Sequence, residues 1–123
     1  MHRRRNQIET GARGEEIAAK FLESRGYRVV SRNYRCPGGE IDLVAWQGRT
    51  LVFVEVRTRR TQDVIAAAGS VGHQKQLRLL RAARHFMSHH ELDFSETRFD
   101  VVVVVGTGEE THCEIVCDAF QDL

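Results

Sequence analysis

The apolar positions Gly14, Ile17, Ala18, Phe21 and Leu22 recur at helical spacing, which predicts an amphipathic helix from about Thr10, a capping hydroxyl, to a stop at Gly26. From Tyr27 to Tyr34 the pattern changes to alternation, the signature of a strand. Cys36-Pro37-Gly38-Gly39 holds the only proline and reads as a turn into a second strand, Glu40 to about Trp46. Gln47-Gly48-Arg49 is a hairpin turn, and Thr50 to Thr58 forms a third strand. The stretch from Arg59 to about Gly72 has no period; a connection of that length is either disordered or a binding loop. A second helix is expected over Val71 to His89, with Leu79, Leu80, Ala83, Phe86 and Met87 on its core face. Thr97 to Val105 contains an unbroken run of valines, as in a strand buried on both faces. His112 to Val116 is a last strand, and the acidic tail to Leu123 leaves room for a helical turn. The order αβββαββ is that of an α/β domain with a mixed central sheet flanked by helices. Residues 1–9 are basic and aperiodic, expected as a flexible arm ahead of a single domain over residues 10–123.

Against this pattern two residues stand out. Asp42 and Glu55 place carboxylates in adjacent strands where a plain core would hold valine or leucine. A buried carboxylate without a partner costs several kcal/mol, so such groups neutralise, pair or bind a metal. Period two sets Glu40, Asp42, Val44 and Trp46 on one face of the second strand, and Glu55 with Arg57 on one face of the third. Glu40 is either a carboxylate supporting the site from behind or, the preferred reading, simply exposed at the strand start. On the first helix, Glu15 borders the buried stripe, whereas Glu16 stands four residues before Lys20 and is expected as an exposed ion pair. The simpler reading is that both glutamates decorate the start of the helix, where negative charge is favoured. Carboxylates without thiolate or imidazole suit a hard ion, Mg²⁺ or Mn²⁺.

Composition narrows the setting. A chain of 123 residues with 41% hydrophobic and 28% charged content is an ordinary globular domain, and no apolar run reaches the length of a membrane span. The Arg-led N-terminus has no apolar segment behind it, so a cytoplasmic protein without membrane attachment is expected. Three cysteines, Cys36, Cys113 and Cys117, do not make a disulfide framework, and Cys113-x3-Cys117 beside His112 lacks zinc-knuckle spacing. Buried, inert thiols are the expectation.

Charge is distributed unevenly. Residues 1–90 carry 17 Lys and Arg against 8 Asp and Glu, while residues 91–123 carry 1 against 9. Such asymmetry points to a polyanion-binding face opposite an acidic end, which could instead dock a basic partner. Lys75, Arg78 and Arg81 follow one another at helical spacing, continued by Arg84 or His85, without acidic partners on the helix. A solvated helix face is the plain alternative to phosphate contact. Arg35, Arg59 and Arg60 extend the basic surface beside the acidic strands. A hard divalent ion within an arginine-rich surface makes a nucleic-acid backbone the natural substrate.

Asp42, twelve intervening residues, then Glu55-Val56-Arg57, within this order of elements, resembles the PD-(D/E)xK nuclease superfamily. More closely, the chain resembles the bacterial YraN-like family, uncharacterised proteins described as predicted endonucleases related to archaeal Holliday-junction resolvases. The matching stretches are Gly14-Glu15, Asn33-Tyr34-Arg35, Gly38 to Ala45, Val52 to Arg57, Lys75 and Arg98-Phe99-Asp100. The resemblance implies a restriction-endonuclease-like core, Glu15, Asp42 and Glu55 as metal ligands, and DNA, branched or damaged, as substrate. It further implies a homodimer as one arrangement, since related resolvases act on two-fold symmetric junctions. Arg57 takes the superfamily's lysine position; arginine stays charged and clamps phosphate but is no base. Lys75 is a candidate source of the missing amine. The alternative reading is a nucleic-acid-binding protein that keeps the nuclease fold without turnover.

Overall fold

The computed structural model describes residues 2–59, 64–69, 71–107 and 110–120, with side chains described from Arg13 onward within those ranges, Val64, Ile65 and Thr107 apart. Helix α1 spans His2–Ser24, strands β1, β2 and β3 span Arg28–Cys36, Gly39–Gln47 and Thr50–Arg59, helices α2 and α3 span Val64–Gly69 and His73–His89, and strands β4 and β5 span Glu96–Thr107 and Glu110–Phe120. The strands form one sheet in the order β1-β2-β3-β4-β5. Only β3 and β4 run parallel, with Glu55 opposite Val101; the other neighbours are antiparallel. Parallel pairing needs a long crossover, and α2 and α3 supply it.

The sheet separates two apolar cores. On one face, Ala18, Ala19 and Leu22 of α1 pack with Leu43, Ala45, Val52, Val54, Val102 and Val104. On the other, Leu79, Ala82, Ala83 and Phe86 of α3 pack with Val44, Leu51, Phe53, Val101, Val103 and Val105. The valine run of β4 thus feeds both cores alternately, as expected for a strand covered on both sides. Among the described residues no helix is long and apolar enough to cross a membrane.

The mixed α/β architecture agrees with expectation, with four local differences. The backbone of α1 is already helical at His2, eight residues ahead of Thr10 and through the expected basic arm; apart from Gly11 its opening residues are tolerable helix formers. Part of the aperiodic connection is the short helix α2, where three alanines favour helix and Ala67 is buried against the α3-side core. Strand β5 runs on to Phe120 in place of a helical turn, because Phe99 pairs with Phe120 and their rings stack at 5.0 Å. The cysteines are less buried than expected: Cys36 and Cys113 are half-buried and Cys117 is exposed.

Asp100 is fully buried at the junction of α1, β4 and β5. Arg98 donates to both its oxygens at 2.8 Å, and Tyr27 donates to Oδ2 at 3.2 Å. Between Phe99 and Val101 the β4–β5 register shifts, and Asp118 adopts a left-handed φ of 52°. The Asp118 N–H, turned out of the ladder by this bulge, donates to Asp100 Oδ1 at 2.9 Å. Arg98 also donates from Nη2 to Gln47 Oε1 at 2.7 Å, tying in the β2–β3 hairpin. Asp100 therefore fastens the end of α1 to the far edge of the sheet. Arg98→Met strands this carboxylate, and urea unfolding should show a loss of roughly 3–5 kcal/mol; an unchanged midpoint would show that the network contributes nothing.

Candidate functional site

The site forms where the sheet abandons its regular alternation. Ile41 joins the α3-side core and Leu43 the α1-side core, although a regular strand would point both the same way. Asp42 lies between them. On the neighbouring strand the rungs Arg32↔Leu43 and Tyr34↔Ile41 flank Asn33, which faces Asp42 across the ladder and has a left-handed φ of 52°. Asparagine is among the few residues that adopt this conformation readily, so one polar side chain takes the turn that both strands make. The β2–β3 rungs run from Gln47↔Thr50 to Leu43↔Val54. Beyond Leu43, Asp42 no longer continues that ladder through its backbone; its Oδ2 accepts the Val56 N–H at 2.9 Å instead.

Glu55 is 4% exposed. Its Oε1 lies 3.6 Å from Lys75 Nζ and 3.8 Å from Arg57 Nε, while Oε2 is buried and has no hydrogen-bond partner among the described residues. Burial, and then the negative Asp42, push its carboxyl up to about 7, against the pull of Lys75 and Arg57. The Nε of Arg57 is likewise buried without a hydrogen bond. Glu55 thus lies beside Arg57 and Lys75 and within the electrostatic reach of Asp42.

Glu15 approaches from α1. Gly14, beside it, is buried where a Cβ would stand 2.8 Å from Thr58 Oγ1, so glycine lets the helix cross β3 closely. The Glu15 carboxyl is shifted upward, chiefly by burial and further by Asp42, while a hydrogen bond with the Asn33 side chain opposes the shift. It therefore shares the electrostatic neighbourhood of Asp42. Among the described residues, however, no group of three or more His, Cys, Asp and Glu side chains converges tightly enough to hold a metal ion. The structure brings Asp42 and Glu55 together; Glu15 is engaged with Asn33. Glu16, by contrast, is exposed and pairs with Lys20 at 3.6 Å, the division of roles that helical phase predicts.

A second layer surrounds the pair. Glu40, read from sequence as a residue exposed at the strand start, sits among cations: Lys75 at 3.5 Å, Arg78 at 3.5 Å and Arg35 at 4.0 Å. The basic stripe of α3 therefore has acidic partners after all, supplied by β2 and β3. What brings them together is the approach of β2 to α3, where a Cβ on Gly39 would stand 2.4 Å from the Arg78 carbonyl oxygen. Arg81 lies beside Gly38 in the preceding turn. Arg59 donates to the Thr58 carbonyl at 2.8 Å, close to its own strand. Arg60 falls outside the described residues. His85 bonds Tyr34. Asp100, matched in the resemblance but without an assigned role, belongs to the Arg98 network and not to this site. Sequence reasoning gave no role to Asn33, and it favoured exposure for Glu40, whose cationic surroundings show the other reading, a supporting carboxylate beside the site. The signal for Asn33 was a turn-forming residue inside a strand pattern.

The upward shift of Glu55 has a consequence for stability. Its folded-state value of about 7 lies above the ordinary 4.5, so folding takes up a proton between those two values. Stability then falls as pH rises through that window. In metal-free solution Glu55→Gln should melt about 5 °C above the parent at pH 8, and the gap should close toward pH 4.5. Equal melting temperatures at both pH values would show that Glu55 carries no burial penalty.

The model of the family described as "Uncharacterised protein family UPF0102" matches residues 14–104, which include every element of the site. A UPF0102 protein of Syntrophus aciditrophicus is 40% identical over 121 residues, spanning 98% of this chain and 95% of the relative. One from Moorella thermoacetica is 49% identical over 102 residues, covering 83% and 81% of the two chains. One from Pelobacter propionicus is 43% identical over 115 residues, covering 91% and 82%. The match from the buried Gly14 to the end of the valine run, together with relatives of nearly equal length, establishes that this chain belongs to the uncharacterised protein family UPF0102.

Proposed function

We propose that the protein is a metal-dependent endonuclease that hydrolyses phosphodiester bonds of DNA, branched or damaged DNA being the favoured substrate. One observation carries the reading: a buried glutamate, Glu55, keeps one oxygen without a partner among the described residues, beside a second carboxylate, Asp42. Evolution does not need such a pair for folding, since it opposes burial. A hard divalent cation, Mg²⁺ or Mn²⁺, satisfies the orphaned oxygen and cancels the repulsion. Asp42 and Glu55 would hold it, with Glu15 reaching the same region from α1.

A bound cation would supply charge neutralisation and a more acidic water. The chain's own residues do the rest. The Val56 N–H fixes the Asp42 carboxylate, so its direction does not depend on the ligand. Arg57, permanently charged, is placed to hold a phosphate oxygen and to stabilise charge that develops there. Lys75 sets an ammonium beside Glu55 from the opposite element, which makes it the group able to give or take a proton where Arg57 cannot. Arg35, Arg78 and Arg81 extend positive charge along the path a backbone would follow. The likeness to PD-(D/E)xK nucleases and their restriction-endonuclease-like fold supports the same reading, as does the mixed sheet with its central parallel pair.

One feature favours a second reading, a nucleic-acid-binding protein that has lost turnover: Arg57 stands where the superfamily has lysine. The two readings part in one set of assays. Plasmid, single-stranded and four-way-junction DNA are incubated with the protein in Mg²⁺ or Mn²⁺. Metal-dependent cleavage is expected, reduced by roughly two orders of magnitude or more in Asp42→Asn and Glu55→Gln. Cleavage that these variants leave intact would sink the nuclease assignment. Binding without cleavage, weakening with salt at a slope of about −0.9 per phosphate neutralised, would select the second reading.

A further inference from the structure

At the Trp46 end of β2, away from Asp42, a half-open cavity of about 250 Å³ lies between the end of α3 and strand β1. Its wall is made by Val30, Ser31, Trp46, Phe86, His90 and Leu92. Consecutive residues of a regular strand point to opposite faces, so Val30 and Ser31 would not normally share a wall. They do so because the β1–β2 register shifts between Val29 and Ser31, a bulge that re-aims Val30 and leaves it 45% exposed. Trp46 and Leu92 pack against the α3-side core and Phe86 belongs to it, so these walls are firmly held. The His90 ring tilts against Phe86 with centroids 4.3 Å apart. Three aromatic rings around a small volume suit one flat heterocycle, and Ser31 and His90 bring a hydroxyl and ring nitrogens for its polar edge.

A line of Lys, Arg and His side chains leads to this cavity. Lys75, Arg78, Arg81, His85 and His89 recur in steps of three and four residues, so they follow one face of α3 away from Glu55. From Lys75 to His89 the helical rise spans roughly 21 Å. Arg81, His85 and His89 are exposed, and so is Arg78 in spite of its pairing with Glu40. Arg28, the cross-strand partner of Trp46, is exposed on the same face of the sheet. Around Leu92 the sign reverses, since Glu91, Asp93 and Glu96 are exposed there. A phosphate backbone following α3 is therefore attracted as far as the cavity and repelled beyond it.

We propose that the cavity takes one unpaired nucleobase of a strand whose phosphates run along α3 from the Glu55 site. A base inside a duplex is stacked and paired and cannot enter, so the cavity selects strands that are single or carry an unpaired nucleotide. The span from Lys75 corresponds to about six stacked nucleotide steps of about 3.4 Å, and to fewer in a stretched strand. The inference rests on the nucleic-acid binding that both readings above share, and not on turnover.

Trp46 is the chain's single tryptophan, so its fluorescence reports on the cavity directly. The full chain is titrated in EDTA, which prevents metal-dependent cutting, with three labelled probes whose anisotropy gives affinity. These are a short single-stranded oligonucleotide, the blunt duplex of the same sequence, and an abasic strand with the same number of phosphates. The single strand should quench Trp46 and bind roughly tenfold more tightly than the abasic strand, the loss expected for one stacked base. Val30→Asp, at an exposed position and checked for native circular dichroism, should abolish both the quench and the difference between the two strands. An added charge alone would weaken both strands equally and preserve that difference, which would overturn the inference. So would equal affinity of the parent for the two strands, Trp46 fluorescence unchanged at saturation, or an equal quench by the blunt duplex. Quenching without any cutting in Mg²⁺ would remove the nuclease assignment and leave the cavity's role standing. A parent that binds none of the probes overturns both.

Discussion

The parallel pairing of β3 with β4 is the constraint on which the rest of the molecule depends. Two parallel neighbours cannot be joined by a tight turn, so the chain must leave the sheet and return over one face. That return is α2 and α3, and it lays α3 across β2, with Gly39 close to the Arg78 carbonyl. Lys75, Arg78 and Arg81, far from β2 in sequence, thereby come to stand over Glu40 and Glu55 or beside Gly38. Without the crossover the acidic hairpin would be an unmatched patch and the basic stripe a solvated helix face.

The site so formed is held against its own electrostatics. Burial and mutual repulsion work against Asp42 and Glu55, and two cations offset only part of the conflict. Structures retain such unfavourable arrangements where chemistry needs a group preorganised, and the broken alternation at Asp42 fits that pattern. Elsewhere the molecule treats buried charge differently. Asp100 is as buried as any residue, yet its oxygens are shared by a guanidinium, a phenol and a backbone N–H. The contrast between one saturated carboxylate and one with an orphaned oxygen separates a structural role from a candidate functional one.

Much of this was legible beforehand, for identifiable reasons. Helical phase alone separated Glu15 from Glu16, because residues one apart point about 100° from each other and only one can border the buried stripe. The hairpin carrying Asp42 and Glu55 followed from alternation and a Gly-containing turn. What local pattern misjudged was context. Glu40 looked solvent-facing because its cationic partners lie thirty-five or more residues away or on the neighbouring strand. The tail beyond Val116 looked free to coil because the pairing that extends it, Phe99 with Phe120, is long-range. For Asp100 only the tie to Arg98, two residues away, is local; those to Tyr27 and Asp118 are long-range.

By itself, then, the sequence determined most of the helices and strands, which of their faces are apolar, and that two carboxylates sit on adjacent strands. Those properties are set by neighbours within a few residues, through backbone geometry and burial period. Only the tertiary structure decided that Glu55 has an oxygen without a partner, that Lys75 stands at its other oxygen, and that Glu15 is engaged with Asn33. Each of these depends on side chains brought together by the crossover and by the broken alternation at Asp42. Distances across that junction are fixed by packing between elements, which no local pattern encodes.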